Sequence, residues 1–194
     1  MSVCDWFLQN PIAKAYHDKE WGTPVHDDVK MFEYMLMESM SCGLSWMLML
    51  VKRPVFKKCF ANFDYRKVAN FTDDDVRRIL ETPGMIRSER KIRAIVSNAK
   101  CFLKIRGEFG TFCKYLWHFT DGKTLPRSKN FPETEVRNEL SDCIAKDLKR
   151  RGFKYMGSVT LYSHLQSVGI INAHGKDCPR YGEILKRVNI RGER

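Results

Sequence analysis

The stretch Met37 to Trp46, MESMSCGLSW, closes one apolar helix and opens the next, and the rest of the chain is read outward from it. Upstream, Met31, Tyr34 and Met35 recur at three- and four-residue steps, the spacing of one helical face, and Glu38 falls on that same face. A carboxylate among apolar neighbours is strongly disfavoured unless something compensates it. Glu38 is therefore salt-bridged, at the edge of the core, or held in a pocket for chemistry. Asp27 and Asp28 supply a cap and first-turn charge for this helix, Cys42 and Gly43 end it, and Ser45 caps the next. Between them Gly43-Leu44 reads either as a packing turn or as an apolar wedge.

Downstream, an apolar helix runs from Trp46 to Arg53-Pro54, where proline is expected to open a further short helix with Phe56 and Phe60 on one face. Asp64 and Thr72 look like two more caps, and Pro83-Gly84 is a break. Ser88 then starts a longer helix with Ile92, Ile95, Ala99 and Phe102 at helical steps. The opposite face carries Arg90, Lys91, Arg93 and Lys100, either solvated surface or a phosphate contact. An aromatic helix spans Thr111 to Phe119, the longest loop runs from Thr120 to Glu133, and helical period returns at Val136, Leu140, Ile144 and Leu148. Gly152 ends that helix and a new one opens at Ser158 and stops at Gly169. The turn from Gly152 to Gly157, with Lys154 beside it, is an ordinary helix connection or a phosphate cradle at a helix N-terminus. No repeat or low-complexity tract appears.

Upstream of the central helix, Trp6, Tyr16, His17 and Trp21 crowd an N-terminal arm, as a cover for the core edge or as a stacking surface. Net charge of +11, from 34 basic and 23 acidic side chains over 194 residues, points to a polyanionic partner, with nucleic acid ahead of a membrane surface. No apolar run is long enough to span a bilayer, and no secretory leader pattern opens the chain, so a soluble cytoplasmic protein is expected. A hydrophobic content of 43% supports a packed core in one domain over 1–194. The seven cysteines have no disulfide-framework spacing. Cys59, Cys101, Cys113 and Cys143 fall within helical patterns and read as core filler. His174 and Cys178 are four apart, on one face of a helical turn. With Cys4 and His17 they make a Cys2His2 set suited to structural zinc that clips the two ends of the chain. His26, His118 and His164 read as satisfied structural histidines. Phosphate-loop, dinucleotide and zinc-protease motifs are absent, as is a partnered nucleophile of the triad kind.

Taken together, Ala15-Tyr16-His17-Asp18 with Glu20-Trp21-Gly22, Glu38 with Gly43-Leu44-Ser45-Trp46, Arg151-Gly152-Phe153-Lys154, and the closing His174 and Cys178 resemble the DNA-3-methyladenine glycosylase I family from Cys4 to Cys178. The resemblance implies an all-α helix-hairpin-helix glycosylase fold, with zinc held by Cys4, His17, His174 and Cys178. It further implies an enzyme that flips 3-methyladenine out of double-stranded alkylated DNA and hydrolyses its N-glycosidic bond; because no lysine stands out as a Schiff-base nucleophile, a monofunctional enzyme is expected, and a monomer that requires no protein partner. On this basis Glu38 accepts hydrogen bonds from the cationic lesion, Tyr16 adds a polar contact, Trp46 stacks on the base, and Trp6 and Trp21 complete the walls. Gly43 and Leu44 fill the gap left in the duplex, while Gly152, Lys154, Gly157 and Ser158 anchor its backbone. The chain departs from the family pattern at Ser39-Met40-Ser41-Cys42, where glutamines are common, at Ala13 in the arm and at Ala173 before the last histidine. A roomier pocket with Cys42 at its side is expected from the first departure. The competing readings are a zinc-stabilised damage-binding module without catalysis and a glycosylase for another modified base.

Overall fold

The computed structural model describes residues 4, 7, 8, 10–126 and 135–191, the last five of these without side chains. Among the described residues ten α-helices carry the fold: α1 (Pro11–Lys19), α2 (Asp28–Ser41), α3 (Trp46–Cys59), α4 (Tyr65–Val68), α5 (Asp73–Glu81), α6 (Glu89–Phe109), α7 (Phe112–His118), α8 (Glu139–Arg150), α9 (Ser158–Ser167) and α10 (Pro179–Arg191). Local chemistry starts most of them. The side chains of Asp27, Ser45, Asp64 and Thr111 accept from backbone amides of the first turn, and Thr72 with Asp75 forms a reciprocal capping box.

The organising element is α2. Every residue from Met31 to Met40 is buried, so the helix has no solvent face there and runs through the middle of the molecule. It packs against α3, α6, α7 and α9. Its N-terminus is pinned by Asp28, whose carboxylate accepts from Arg106 Nε at 2.6 Å and from the amides of Phe112 and Cys113 at 3.2 and 3.0 Å. That one acid ties α2 to α6 and to the start of α7, where the positive end of the helix suits it.

Several expectations are corrected. Proline does not open a new helix at position 54: α3 runs through Pro54 to Cys59. Burial of Phe56 and Cys59, with Arg53 bonded to Glu20 and Glu33, holds the segment helical against the roughly 3 kcal/mol cost of an interior proline. Val136 precedes its helix and is 57% exposed, because the Asn138–Ser141 capping box starts α8 three residues later. Cys143 is exposed on the outer face of α8, whereas Cys59, Cys101 and Cys113 are buried. The all-α expectation misses one short parallel pairing, β1 (Leu125–Pro126) with β2 (Ile171–Asn172). It fastens the start of the long loop beside Gly169, whose carbonyl accepts from Thr124 Oγ1 at 2.8 Å. Among the described residues, no helix is long and apolar enough to cross a membrane.

Candidate active site

Glu38 lies at the base of a cavity of about 440 Å³, walled by Trp21, Trp46 and Leu44, with Ser41 from α2 and Ser163, Gln166 and Ser167 from α9. The carboxylate is 3% exposed and accepts from Ser167 Oγ at 3.2 Å. Among the described residues no cation comes within ion-pairing distance of it. Burial pushes its pKa up to about 8, with the Ser167 bond pulling the other way. The other two buried acids of α2 are compensated: Asp28 by Arg106 and two backbone amides, and Glu33 by Arg53 Nε on Oε1 at 2.5 Å and Lys30 on Oε2 at 3.0 Å. Tyr16 is buried beside Trp46, ring centroids 5.8 Å apart, with its phenol close to the Ser167 side chain. Burial raises its phenol, the Ser167 side chain opposes this, and nearby Glu38 adds to the rise. Trp6 lies outside the described residues.

Ser41 Oγ donates back to the Glu38 carbonyl at 2.8 Å, leaving the cavity mouth open, and Met40 is fully buried in the core. Cys42 does not line the cavity, contrary to expectation. Its Sγ lies 3.8 Å from the Tyr155 carbonyl and 3.5 Å from Thr160 Oγ1, because the end of α2 turns the thiol towards α9. Ala13 is buried in the core at no exposure, and Ala173 is also buried.

Two exposed turns lie next to one another, one at the edge of the cavity and one ahead of α9, meeting where Cys42 Sγ approaches the Tyr155 carbonyl. At the α2–α3 turn Gly43 has φ +77 with open space around it, and Leu44 is 40% exposed beside it. At the α8–α9 turn, Gly152 closes α8, Lys154 is exposed, and Gly157 and Ser158 form the N-terminus of α9. Sequence reasoning missed what holds both turns. Lys91 Nζ donates to the carbonyls of Met40 and Cys42 at 2.8 and 2.6 Å, and the buried Asn98 bonds both backbone groups of Lys154 at 2.8 Å. Lys91 sat within an apparently solvated basic face, and no local pattern marked Asn98.

Cys4, His17, His174 and Cys178 converge, their ligating atoms all within 4.8 Å of one another. Residues 174–178 form a turn ahead of α10 rather than a helical one, with the Cys178 amide donating to the Gly175 carbonyl at 2.9 Å. His174 Nδ1 lies 3.8 Å from Cys4 Sγ and 3.5 Å from Cys178 Sγ, and Cys178 Sγ lies 3.7 Å from His17 Nε2. A tetrahedral ion with thiolate and imidazole ligands would separate such atoms by about 3.6 Å. The outward nitrogens already have oxygen partners, Asp18 Oδ1 for His17 at 2.9 Å and the Trp21 carbonyl for His174 at 3.0 Å. These bonds turn the inward nitrogens into lone-pair donors, so the set fits a metal. Trp21 links this cluster to the cavity, its ring edge-on to His174 at 4.6 Å.

The remaining histidines differ from one another. His26 stacks on Trp117 at 4.8 Å, and His118 lies against Phe119. His164 is fully buried with neither ring nitrogen bonded among the described residues, which corrects the expectation of a satisfied histidine. Burial lowers its pKa to about 3, so the ring is neutral.

A helical protein with a buried acid that no cation meets among the described residues, set under aromatic walls with an exposed turn at the cavity edge, has the arrangement of a base-excising enzyme. The chain belongs to the methyladenine glycosylase family, whose model matches residues 6–181. It is 37% identical over 182 residues to DNA-3-methyladenine glycosylase 1 of Escherichia coli (strain K12), covering 93% of this chain and 97% of that protein. To the DNA-3-methyladenine glycosylase of Haemophilus influenzae it is 36% identical over 180 residues, covering 91% and 96%. It also superposes on the crystal structure of a variant 3-methyladenine DNA glycosylase I in complex with 3-methyladenine, with a TM-score of 0.87 and 34% identity, covering 92% of this chain and 97% of that one.

Proposed function

We propose that this chain excises 3-methyladenine from double-stranded alkylated DNA, binding the flipped base in the Glu38 cavity and hydrolysing its N-glycosidic bond. One observation carries the reading: Glu38 is a buried acid at a cavity wall with no cation beside it among the described residues. 3-Methyladenine is cationic while bonded to the sugar and supplies the missing charge. As that cation enters, the carboxylate gives up its proton and accepts hydrogen bonds from the base, Trp46 and Trp21 face its π-system, and Tyr16, through Ser167, fixes the carboxylate. The base is already a good leaving group. Water adds at C1′ as the bond to the base breaks; the bonding pair leaves with the base, which departs neutral, the proton shed by the water passes to solvent like the one released by Glu38, and binding selectivity contributes much of the rate. No lysine lines the cavity among the described residues, which supports a monofunctional enzyme.

Gly43 and Leu44 are assigned to the gap in the duplex, supported by the exposed leucine at the cavity mouth. Gly152, Lys154, Gly157 and Ser158 are assigned to the backbone, as the hairpin of a helix-hairpin-helix element whose second helix presents its N-terminus to phosphate. Cys4, His17, His174 and Cys178 are assigned to zinc, which supplies structural closure when bound, because four protein ligands leave no open position for chemistry. The chain is assigned to act as a monomer and as one glycosylase domain.

Incubation with methylated duplex DNA, followed by chromatography of the released bases, tests the reading. Free 3-methyladenine is the expected product, with no covalent adduct trapped by borohydride. Tight binding without any released base would assign a damage-binding module instead, and release of other lesions alone would reassign the substrate.

A further inference from the structure

Lys91 and Asn98 stand seven residues apart on α6, close to two full turns, so both leave the helix on the same side. Their targets are unusual for polar side chains because both are backbone at distant turns. Lys91 Nζ bonds the carbonyls of Met40 and Cys42, at the end of α2 where the helix leaves carbonyls unpaired and its dipole is negative. Asn98, 2% exposed, donates to the Lys154 carbonyl and accepts from the Lys154 amide, so both ends of its amide group hold that turn. The helix rise separates the two anchor points by about 10 Å. A direct tie closes the triangle: Cys42 Sγ reaches Tyr155 and Thr160, and Ser39 Oγ donates to Met156 Sδ at 3.5 Å.

We propose that Lys91 and Asn98 are positioning residues that make α6 a spacer, setting the separation between the Gly43-Leu44 turn and the Gly152–Gly157 turn to match one extruded nucleotide and its flanking backbone. The inference rests on the reading of both turns as facing DNA. Neither side chain reaches the cavity lining, so its loss loosens the grip on the duplex and leaves the base pocket in shape.

The test uses the full chain with Lys91→Met, Asn98→Ala, Lys91→Arg and Asn98→Asp. Three affinities are read: for a duplex carrying a tetrahydrofuran abasic-site analogue, for the same duplex across a salt series, and for free 3-methyladenine. Lys91→Met and Asn98→Ala are each expected to weaken duplex binding roughly tenfold, while free-base affinity stays within about twofold and the salt slope is unchanged. Lys91→Arg, which keeps donors for both carbonyls, is expected to restore most of the duplex affinity. Unchanged duplex affinity overturns the proposal, as does an equal loss of free-base affinity. A salt slope reduced by about 0.9 in Lys91→Met would make Lys91 a phosphate contact and also overturn it. Should a truncated variant not fold, Asn98→Asp decides: it keeps the acceptor and loses the donor, and wild-type duplex affinity in it refutes the spacer. The abasic duplex needs no excision, so a wild-type chain that binds it yet releases no base fails only the activity. A wild-type chain that does not bind it fails the reading of the turns and the spacer with it.

Discussion

Glu33 and Glu38 sit five residues apart on one buried helix in opposite circumstances. Arg53 and Lys30 meet the charge of the first, while the second has a serine hydroxyl. The folded chain therefore keeps a proton on Glu38 between its ordinary value of 4.5 and about 8, where the unfolded chain has released it. The stability this gives is complete below the unfolded value and is lost as pH rises through the folded one. Glu38→Gln, which never ionises, is expected to melt above the wild type near pH 9, with the difference vanishing near pH 5. Scanning calorimetry at the two pH values checks it. Excision moves the other way. Under subsaturating single-turnover conditions the wild-type rate rises with pH towards and past 8, whereas Glu38→Gln is flat and roughly a hundredfold slower. A wild-type rate in Glu38→Gln would remove the assigned role.

Two glycines separate backbone strain from crowding between elements. Both Gly43 and Gly169 have φ +77, but a Cβ at Gly43 meets nothing, whereas at Gly169 it would lie 2.6 Å from the Gly22 carbonyl oxygen. Gly43→Ala is expected to cost only the left-handed penalty, about 1–2 kcal/mol, and Gly169→Ala distinctly more, read as urea midpoints at equal slope. The same contrast explains what could be read from the chain. Caps such as Asp27, Ser45 and Thr72 are local chemistry, and their helices start where the residues say. Pro54 was misread because the burial of Phe56 and Cys59 that overrides it is a property of the packed molecule. Lys91, Asn98 and the β1–β2 pairing act across tens of residues with no periodic signature, so single-chain spacing is silent about them. Glu38 was legible as an acid on an apolar face, but that no cation meets it among the described residues appears only once Arg53 is seen to take Glu33. The convergence of Cys4 and His17 with His174 and Cys178 was weakly marked by spacing and carried by the family resemblance.

At the scale of the molecule, the four-ligand cluster joins segments more than 150 residues apart, as the Cys4–His174 separation of 170 shows. Purified protein is expected to contain one zinc per chain. Stripping it with a chelator should lower the melting temperature by about 10 °C or more, and zinc, but not magnesium, should restore it. Retention of full thermal stability in metal-free protein would discard the closure. Trp21 stands where this closure meets the pocket, with its carbonyl on His174 and its indole on the cavity wall. The two jobs belong to different atoms of one residue. On the proposed reading of cavity and cluster, selection can exchange the ring and remould which bases fit, while the backbone oxygen, common to every amino acid, goes on orienting His174.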